Sequence, residues 1–216
     1  MSPEERRLRQ AVIDTCLAMN ASGLNQGKSG NVSVRWRDGL LLTPTGIPYA
    51  ELTPDDIVFL TLDGQCPPGQ RLPSSEWHFH CGILLAYPQV GAVVHAHSPY
   101  ATALACLREG IPAFHYMVAV AGGKDIPCAE YATFGSDALS QAIVVALQAR
   151  KACLLANHGL VATGPGLEQA LGLALEVENL ARQYALTRQL GQPVILDDEE
   201  MRVVLDKFRT YGQQRP

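Results

Sequence analysis

The run Gly91-Ala92-Val93-Val94-His95-Ala96-His97 constrains this chain more than any other segment. A short, Val-rich apolar run reads as a buried strand. Side chains alternate faces along a strand, so His95 and His97 point the same way. Two imidazoles converging from one rigid element make half of a metal site. A third histidine sits in another apolar segment, Leu154-Leu155-Ala156-Asn157-His158-Gly159-Leu160, and can complete it. Zinc in a catalytic role commonly takes three protein ligands and keeps one position open.

The bulk numbers narrow the setting for such a site. A length of 216 residues favours one domain, spanning 1–216, and an apolar fraction of 47% is enough for a substantial core. Net charge is −4 with no basic block, which argues against a nucleic-acid partner. No apolar run approaches the ~18 residues of a transmembrane helix. The charged start Met1-Ser2-Pro3-Glu4-Glu5-Arg6-Arg7 reads as the lead into an amphipathic helix rather than a signal peptide. Six scattered cysteines without a C-x-x-C pair fit a reducing cytoplasm better than a disulfide framework or a thiolate zinc site.

Local signals give a mixed α/β order. Helices are expected over 3–20, from Ser74-Ser75 to about Tyr87, after Pro99, over 136–148, over 167–190 and over 198–208. A hairpin is expected over 31–43, turning at Asp38-Gly39, with further strands over 57–62, 91–97, 113–117 and on both sides of His158. Strands joined both by hairpins and through helices imply a mixed sheet flanked by helices.

Three other patterns bear on chemistry. Glu76 is the only acid between Leu72 and Tyr87. It is read in the first turn of a helix, as a dipole-favoured carboxylate or as a general acid or base beside a cation. His80, four residues on, shares its helix face as an alternative ligand pair. A surface or interface role is preferred for His78 and His80. Gly27-Lys28-Ser29-Gly30-Asn31 is not a nucleotide P-loop, because Ser22 stands where the first glycine is needed and the loop runs from helix to strand. Together with Thr43-Pro44-Thr45-Gly46 and the helix start at Ser74-Ser75, it can still cradle one phosphate through backbone N–H groups.

These segments carry a family likeness that runs nearly end to end. It includes Gly23-Leu24-Asn25-Gln26-Gly27, Gly30-Asn31-Val32-Ser33-Val34-Arg35, Leu42-Thr43-Pro44-Thr45-Gly46-Ile47-Pro48-Tyr49 and Leu72-Pro73-Ser74-Ser75-Glu76-Trp77. It continues through Val93-Val94-His95-Ala96-His97, His115-Tyr116-Met117, Tyr131-Ala132-Thr133-Phe134-Gly135, His158-Gly159-Leu160 and Lys207-Phe208-Arg209-Thr210-Tyr211-Gly212. On these stretches the chain closely resembles the sugar-phosphate aldolases of the class II aldolase/adducin family.

The resemblance implies a largely antiparallel central sheet covered by helices, in a homotetramer with sites between subunits. It implies one zinc ion per subunit on His95, His97 and His158, with Glu76 as the catalytic carboxylate. Gly30, Asn31, Thr45, Gly46, Ser74 and Ser75 match a phosphate pocket. Tyr116 matches a catalytic tyrosine that reaches the site from the neighbouring subunit. Phe134, Phe208 and Tyr211 match residues that shape and close the pocket. The implied reaction is reversible cleavage of a ketose 1-phosphate, such as L-fuculose 1-phosphate, to dihydroxyacetone phosphate and L-lactaldehyde. Related readings are an aldolase for another phosphorylated deoxy or methylthio sugar and a ribulose-5-phosphate 4-epimerase. The family's epimerases carry Asp where this chain has Glu76, which favours the aldolase. The three histidines and Glu76 argue against a non-catalytic adducin-like module.

Overall fold

The computed structural model describes residues 1–210. Helix α1 (Pro3–Ala21) leads into the hairpin β1 (Asn31–Trp36) and β2 (Gly39–Leu42), followed by β3 (Val58–Thr61). Then come α2 (Trp77–Ala86), β4 (Ala92–Ala96), α3 (Pro99–Cys106), β5 (Cys128–Ala129) and α4 (Asp137–Ala146). The chain continues through β6 (Ala152–Leu155), β7 (Gly159–Gly164), α5 (Leu167–Leu190) and α6 (Asp198–Phe208). The strands form one sheet in the order β3-β2-β1-β4-β7-β6-β5. Every pairing is antiparallel except β5 with β6. This is the mixed, largely antiparallel sheet the resemblance implies.

Helices cover both faces of the sheet, which explains why its strands read as continuous apolar runs. Val94 joins Val12, Leu104 and Val177 of α1, α3 and α5 on one face. Val93 joins Phe79, Ile83 and Ile143 of α2 and α4 on the other. His95 shares the face of Val93, and its ring meets Phe79 edge-on at 5.5 Å. Fully burying one such aliphatic side chain is worth about 1.5–3 kcal/mol. The β4 register is therefore strongly held, because a one-residue slip would turn both histidines to the opposite face. Among the described residues, no helix is long and apolar enough to cross a membrane.

Several local expectations change. The hairpin loop is Arg37-Asp38, since Trp36 pairs with Gly39, and Arg37 takes the left-handed turn at φ +52°. Gly39 is needed instead for strand contact, because a Cβ there would lie 2.0 Å from the Leu60 carbonyl oxygen. Residues 113–117 do not form a strand. The apolar run continues past them as a 3-10 helix, Tyr116–Ala121, whose Met117 amide donates to His115 Nδ1 at 3.1 Å. Short apolar runs do not separate strand from helix by periodicity alone. The two-residue β5 went unread because it is too short to carry a pattern. Helix α2 starts later than expected, and neither Ser74 nor Ser75 caps it. The Ser74 hydroxyl accepts from the Glu76 amide at 3.3 Å, leaving Glu76 itself at the N-cap position with its side chain turned away from the helix.

Candidate active site

His95 is the anchor of the site. It lies fully buried on β4, where Asn31 pairs with it from β1 and Val161 from β7. Its Nδ1 lies 2.8 Å from the Leu160 carbonyl oxygen. A carbonyl only accepts, so Nδ1 carries the proton and the Nε2 lone pair faces inward. His97 follows one residue past the strand. Its backbone amide is held by Asn25 Oδ1 at 3.3 Å, and its Nε2 lies 3.0 Å from His95 Nε2.

His158 arrives on the loop between β6 and β7. Asn157 takes φ +55° there, a conformation asparagine tolerates better than most residues. The Asn157 amide donates to Ala105 at the end of α3 at 2.9 Å, and Arg108 Nε donates to Asn157 Oδ1 at 3.2 Å. Gly159 lets β7 close on β4, since a Cβ there would sit 2.4 Å from the Ala96 carbonyl oxygen and 3.1 Å from the His97 ring. The three imidazoles meet edge to face, with centroids 4.8–4.9 Å apart and planes at 72–76°.

Glu76 closes the cluster from the α2 side. Its Oε2 lies 3.1 Å from His95 Nε2 and its Oε1 3.3 Å from His158 Nε2. The buried Oε1 has no hydrogen-bond donor despite that proximity. Burial raises the proton affinity of this carboxyl, but His95 and His158 together with the Asn31 amide outweigh it and hold Glu76 down to about 2. Burial, then neighbouring His95, pushes His97 and His158 down to about 4. At neutral pH His97 and His158 are therefore neutral and Glu76 is an ionised carboxylate.

This donor set fits a divalent metal. Ligand atoms of Glu76, His95, His97 and His158 all lie within 4.8 Å of one another. Ligands at the 2.0–2.1 Å bonds of tetrahedral zinc stand roughly 3.3 Å apart, close to the 3.0, 3.1 and 3.3 Å measured for three of these pairs. Glu76 thus stands within reach of a metal as well as of a substrate.

A cleft of about 340 Å³ opens onto the cluster, lined by Ser29, Ser75, Glu76, His97, His158 and Phe134, with Tyr131 and Asn157 at its side. Phe134 is exposed and lines this cleft. Arg108 sits 5.9 Å over the Tyr131 ring. Ser29, Tyr131 and Asn157 were not expected at the cleft, although all three lie beside residues that were. A larger hollow, about 760 Å³, lies elsewhere against Arg108, Asp125 and Arg188. Most charges there are paired, Arg188 with Glu109 and Asp125 with Arg150, and volume alone does not mark the chemistry.

The three predicted phosphate segments do come together. Lys28 Nζ donates to the Gly46 carbonyl at 2.6 Å, the Thr45 amide to Leu72 at 3.0 Å and the Ser74 amide to Thr43 at 3.0 Å. Two members have a different local task from the one expected. Asn31 turns its side chain to Glu76 and His80. Gly30 permits close approach to β4, with a would-be Cβ 2.6 Å from the His95 carbonyl oxygen. The surface reading of His80 is wrong: it is fully buried beneath the site. Burial, then His95, pushes it down to about 3, so it is neutral. A signal for this was present in Asn31, Ser33 and Arg35, which alternate with apolar residues and give β1 one polar face. His78 is partly exposed, with Nε2 3.9 Å from Asp137.

Tyr116 does not line this cleft. It is exposed on a separate hollow with Phe114, His115, Leu196, Val204 and Phe208. Tyr211 lies outside the described residues.

The model of the class II aldolase and adducin N-terminal domain matches residues 10–185. A 5-methylthioribulose-1-phosphate/5-deoxyribulose-1-phosphate aldolase of Rhodospirillum rubrum is 54% identical over 95% of this chain and 92% of its own length. The L-fuculose phosphate aldolase of Escherichia coli K12 is 53% identical over 97% of each chain. A solved L-fuculose 1-phosphate aldolase superposes with a TM-score of 0.91 at 41% identity, covering 97% of this chain and 98% of its own. Fold, donor cluster and near full-length likeness agree, and the chain belongs to the class II aldolase and adducin family as an aldolase-type lyase.

Proposed function

We propose that the chain is a zinc-dependent aldolase that reversibly cleaves L-fuculose 1-phosphate to dihydroxyacetone phosphate and L-lactaldehyde in the cytoplasm. The observation that carries this reading is the ionised, buried Glu76 carboxylate inside a three-imidazole cluster at the floor of a cleft. His95, His97 and His158 would hold the metal. When bound, it supplies Lewis-acid stabilisation of the negative charge that carbon–carbon cleavage leaves on the substrate. Neutral ligands suit this, because they leave the ion's charge undiminished.

In synthesis the ionised Glu76 removes the proton at C3; in cleavage the same carboxyl, first protonated from solvent, returns that proton to C3. Its Oε1, free of hydrogen-bond donors, is the oxygen available for that transfer. Thr45, Gly46, Ser74 and Ser75 hold the phosphate, with the loop at Gly30 and Asn31 closing that pocket while the Asn31 side chain stays on Glu76 and His80, and binding energy there is remote from the bond that breaks. Tyr116, contributed by a neighbouring subunit of a homotetramer, takes the C4 hydroxyl proton in cleavage. Its exposure on a separate hollow supports a partner across a boundary. Phe208, which lines the same hollow as Tyr116, and Tyr211 would shape and close the pocket.

A second reading has a specific observation behind it. The 54% identical relative is named for methylthio and deoxy pentulose phosphates, which differ from fuculose phosphate in the aldehyde released. The test is to incubate the zinc-loaded protein with L-fuculose 1-phosphate, 5-methylthioribulose 1-phosphate, 5-deoxyribulose 1-phosphate and ribulose 5-phosphate. Dihydroxyacetone phosphate should appear with one of the ketose 1-phosphates, and the unphosphorylated sugar should turn over far more slowly. Absence of dihydroxyacetone phosphate from all of them, or epimerisation of ribulose 5-phosphate, would overturn the assignment.

Tyr116 gives a second expectation. Tyr116→Phe should bind metal and assemble, cleave slowly, and still exchange the C3 proton of dihydroxyacetone phosphate with deuterated solvent. Mixed oligomers of Tyr116→Phe and Glu76→Gln subunits should regain cleavage, because some interfaces then join two intact residues. No recovery in verified mixed oligomers places Tyr116 outside a shared site.

A further inference from the structure

We propose that His80 is a positioning residue for Glu76, acting through the side-chain amide of Asn31. The inference rests on the proton-transfer role proposed for Glu76 and adds the device that aims it.

The geometry is a single buried chain of hydrogen bonds. Asn31 Nδ2 donates to Glu76 Oε2 at 2.9 Å. Asn31 Oδ1 lies 2.6 Å from His80 Nε2, and His80 Nδ1 lies 2.7 Å from the Ser33 hydroxyl. Ser33 and His80 are fully buried, Asn31 and Glu76 almost so. Each proton position forces the next. An ionised carboxylate only accepts, so the NH₂ of Asn31 faces Glu76. The Asn31 carbonyl then faces His80, so His80 Nε2 carries the proton. His80 Nδ1 is left as an acceptor, and the Ser33 hydroxyl donates to it.

This arrangement has one consequence at the reacting end. A side-chain amide is nearly symmetric in shape, and only its partners decide which way it points. His80 locks it here, because a donor at Nε2 matches only the orientation of Asn31 that the Glu76 carboxylate favours. Turned over, Asn31 would set a carbonyl oxygen against the Glu76 carboxylate. Held as it is, the amide ties down Oε2 and leaves Oε1 as the oxygen without a donor. Phe79 stacks on the His80 ring at 4.5 Å and restricts its movement.

The first test is a double-mutant cycle on the metal-loaded protein, comparing wild type, His80→Phe, Asn31→Ala and the double variant. His80→Phe should lower kcat by about 10–100-fold, the usual cost of losing a residue that orients a functional side chain. KM should change by less than about twofold, and metal content should stay that of wild type. In the Asn31→Ala background the same substitution should cost less than about threefold, since its effect passes through an amide no longer present. Full additivity, or wild-type kcat in His80→Phe, overturns the proposal. The second test needs neither a variant that folds nor a known substrate. Nitrogen-15 NMR of wild-type His80 should show Nε2 protonated and Nδ1 bare. The opposite tautomer overturns the relay. Absence of aldolase activity in wild type would instead overturn the reaction assigned to Glu76.

Discussion

Glu76→Gln should keep its metal and lose about 10²–10⁴-fold in turnover, the range typical for removing a general acid or base. The amide matches the carboxylate in size, so the pocket survives. It cannot shuttle a proton, and it places an NH₂ where the structure has an acceptor. Where that NH₂ replaces Oε2, Asn31 Nδ2 loses its acceptor. The sharpest measurement is exchange of the C3 proton of dihydroxyacetone phosphate in deuterated water, which isolates the step assigned to Glu76. Exchange at the wild-type rate in Glu76→Gln would remove the carboxylate from the chemistry. A concurrent loss of metal would make it a ligand first, a role its position within 4.8 Å of all three histidine donors permits.

His95→Ala should abolish metal binding and activity together. His95 is the central donor of the cluster, with Nε2 3.0 Å from His97 and 3.1 Å from Glu76. Removing it takes one of three imidazoles and leaves a cavity in the middle of the sheet. Affinity should fall by more than about 100-fold, the upper end of what loss of an outer partner of a ligand costs. A thermal shift measures this without substrate. Zinc at 1,000 times its dissociation constant stabilises a folded protein by about 4 kcal/mol, so wild type should melt higher with zinc and His95→Ala should not. Elemental analysis showing one metal per chain in His95→Ala would transfer the site to other ligands.

Much of this site was legible before any coordinates. The convergence of His95 and His97 follows from the two-residue period of a strand, a property of local backbone geometry. The long helix Leu167–Leu190 and the last helix Asp198–Phe208 appear at their expected bounds, because their apolar spacing extends over several turns. Glu76 stood out as the lone acid in an apolar stretch. The misreadings share a cause. The segment 113–117 and the start of α2 are short, and a few residues do not fix a period. His80 looked like a surface residue because its partners, Asn31 and Ser33, lie 49 and 47 residues away in sequence.

The candidate donor set, the family likeness and most of the strand-and-helix order were legible along the chain, because motif spacing and hydrophobic period are local properties. What those residues face was set by strand register and helix packing. Pairing of β1 with β4 sets Asn31 beside His95, and packing of α2 on that face brings Glu76 and His80 to the same amide. The β4–β7 pairing, closed at Gly159, brings His158 in from more than 60 residues away. Tyr116 was sent to a different hollow by the 3-10 helix that replaced an expected strand. These juxtapositions depend on register and on which faces pack, and both are settled by the burial of the whole core rather than by any one segment.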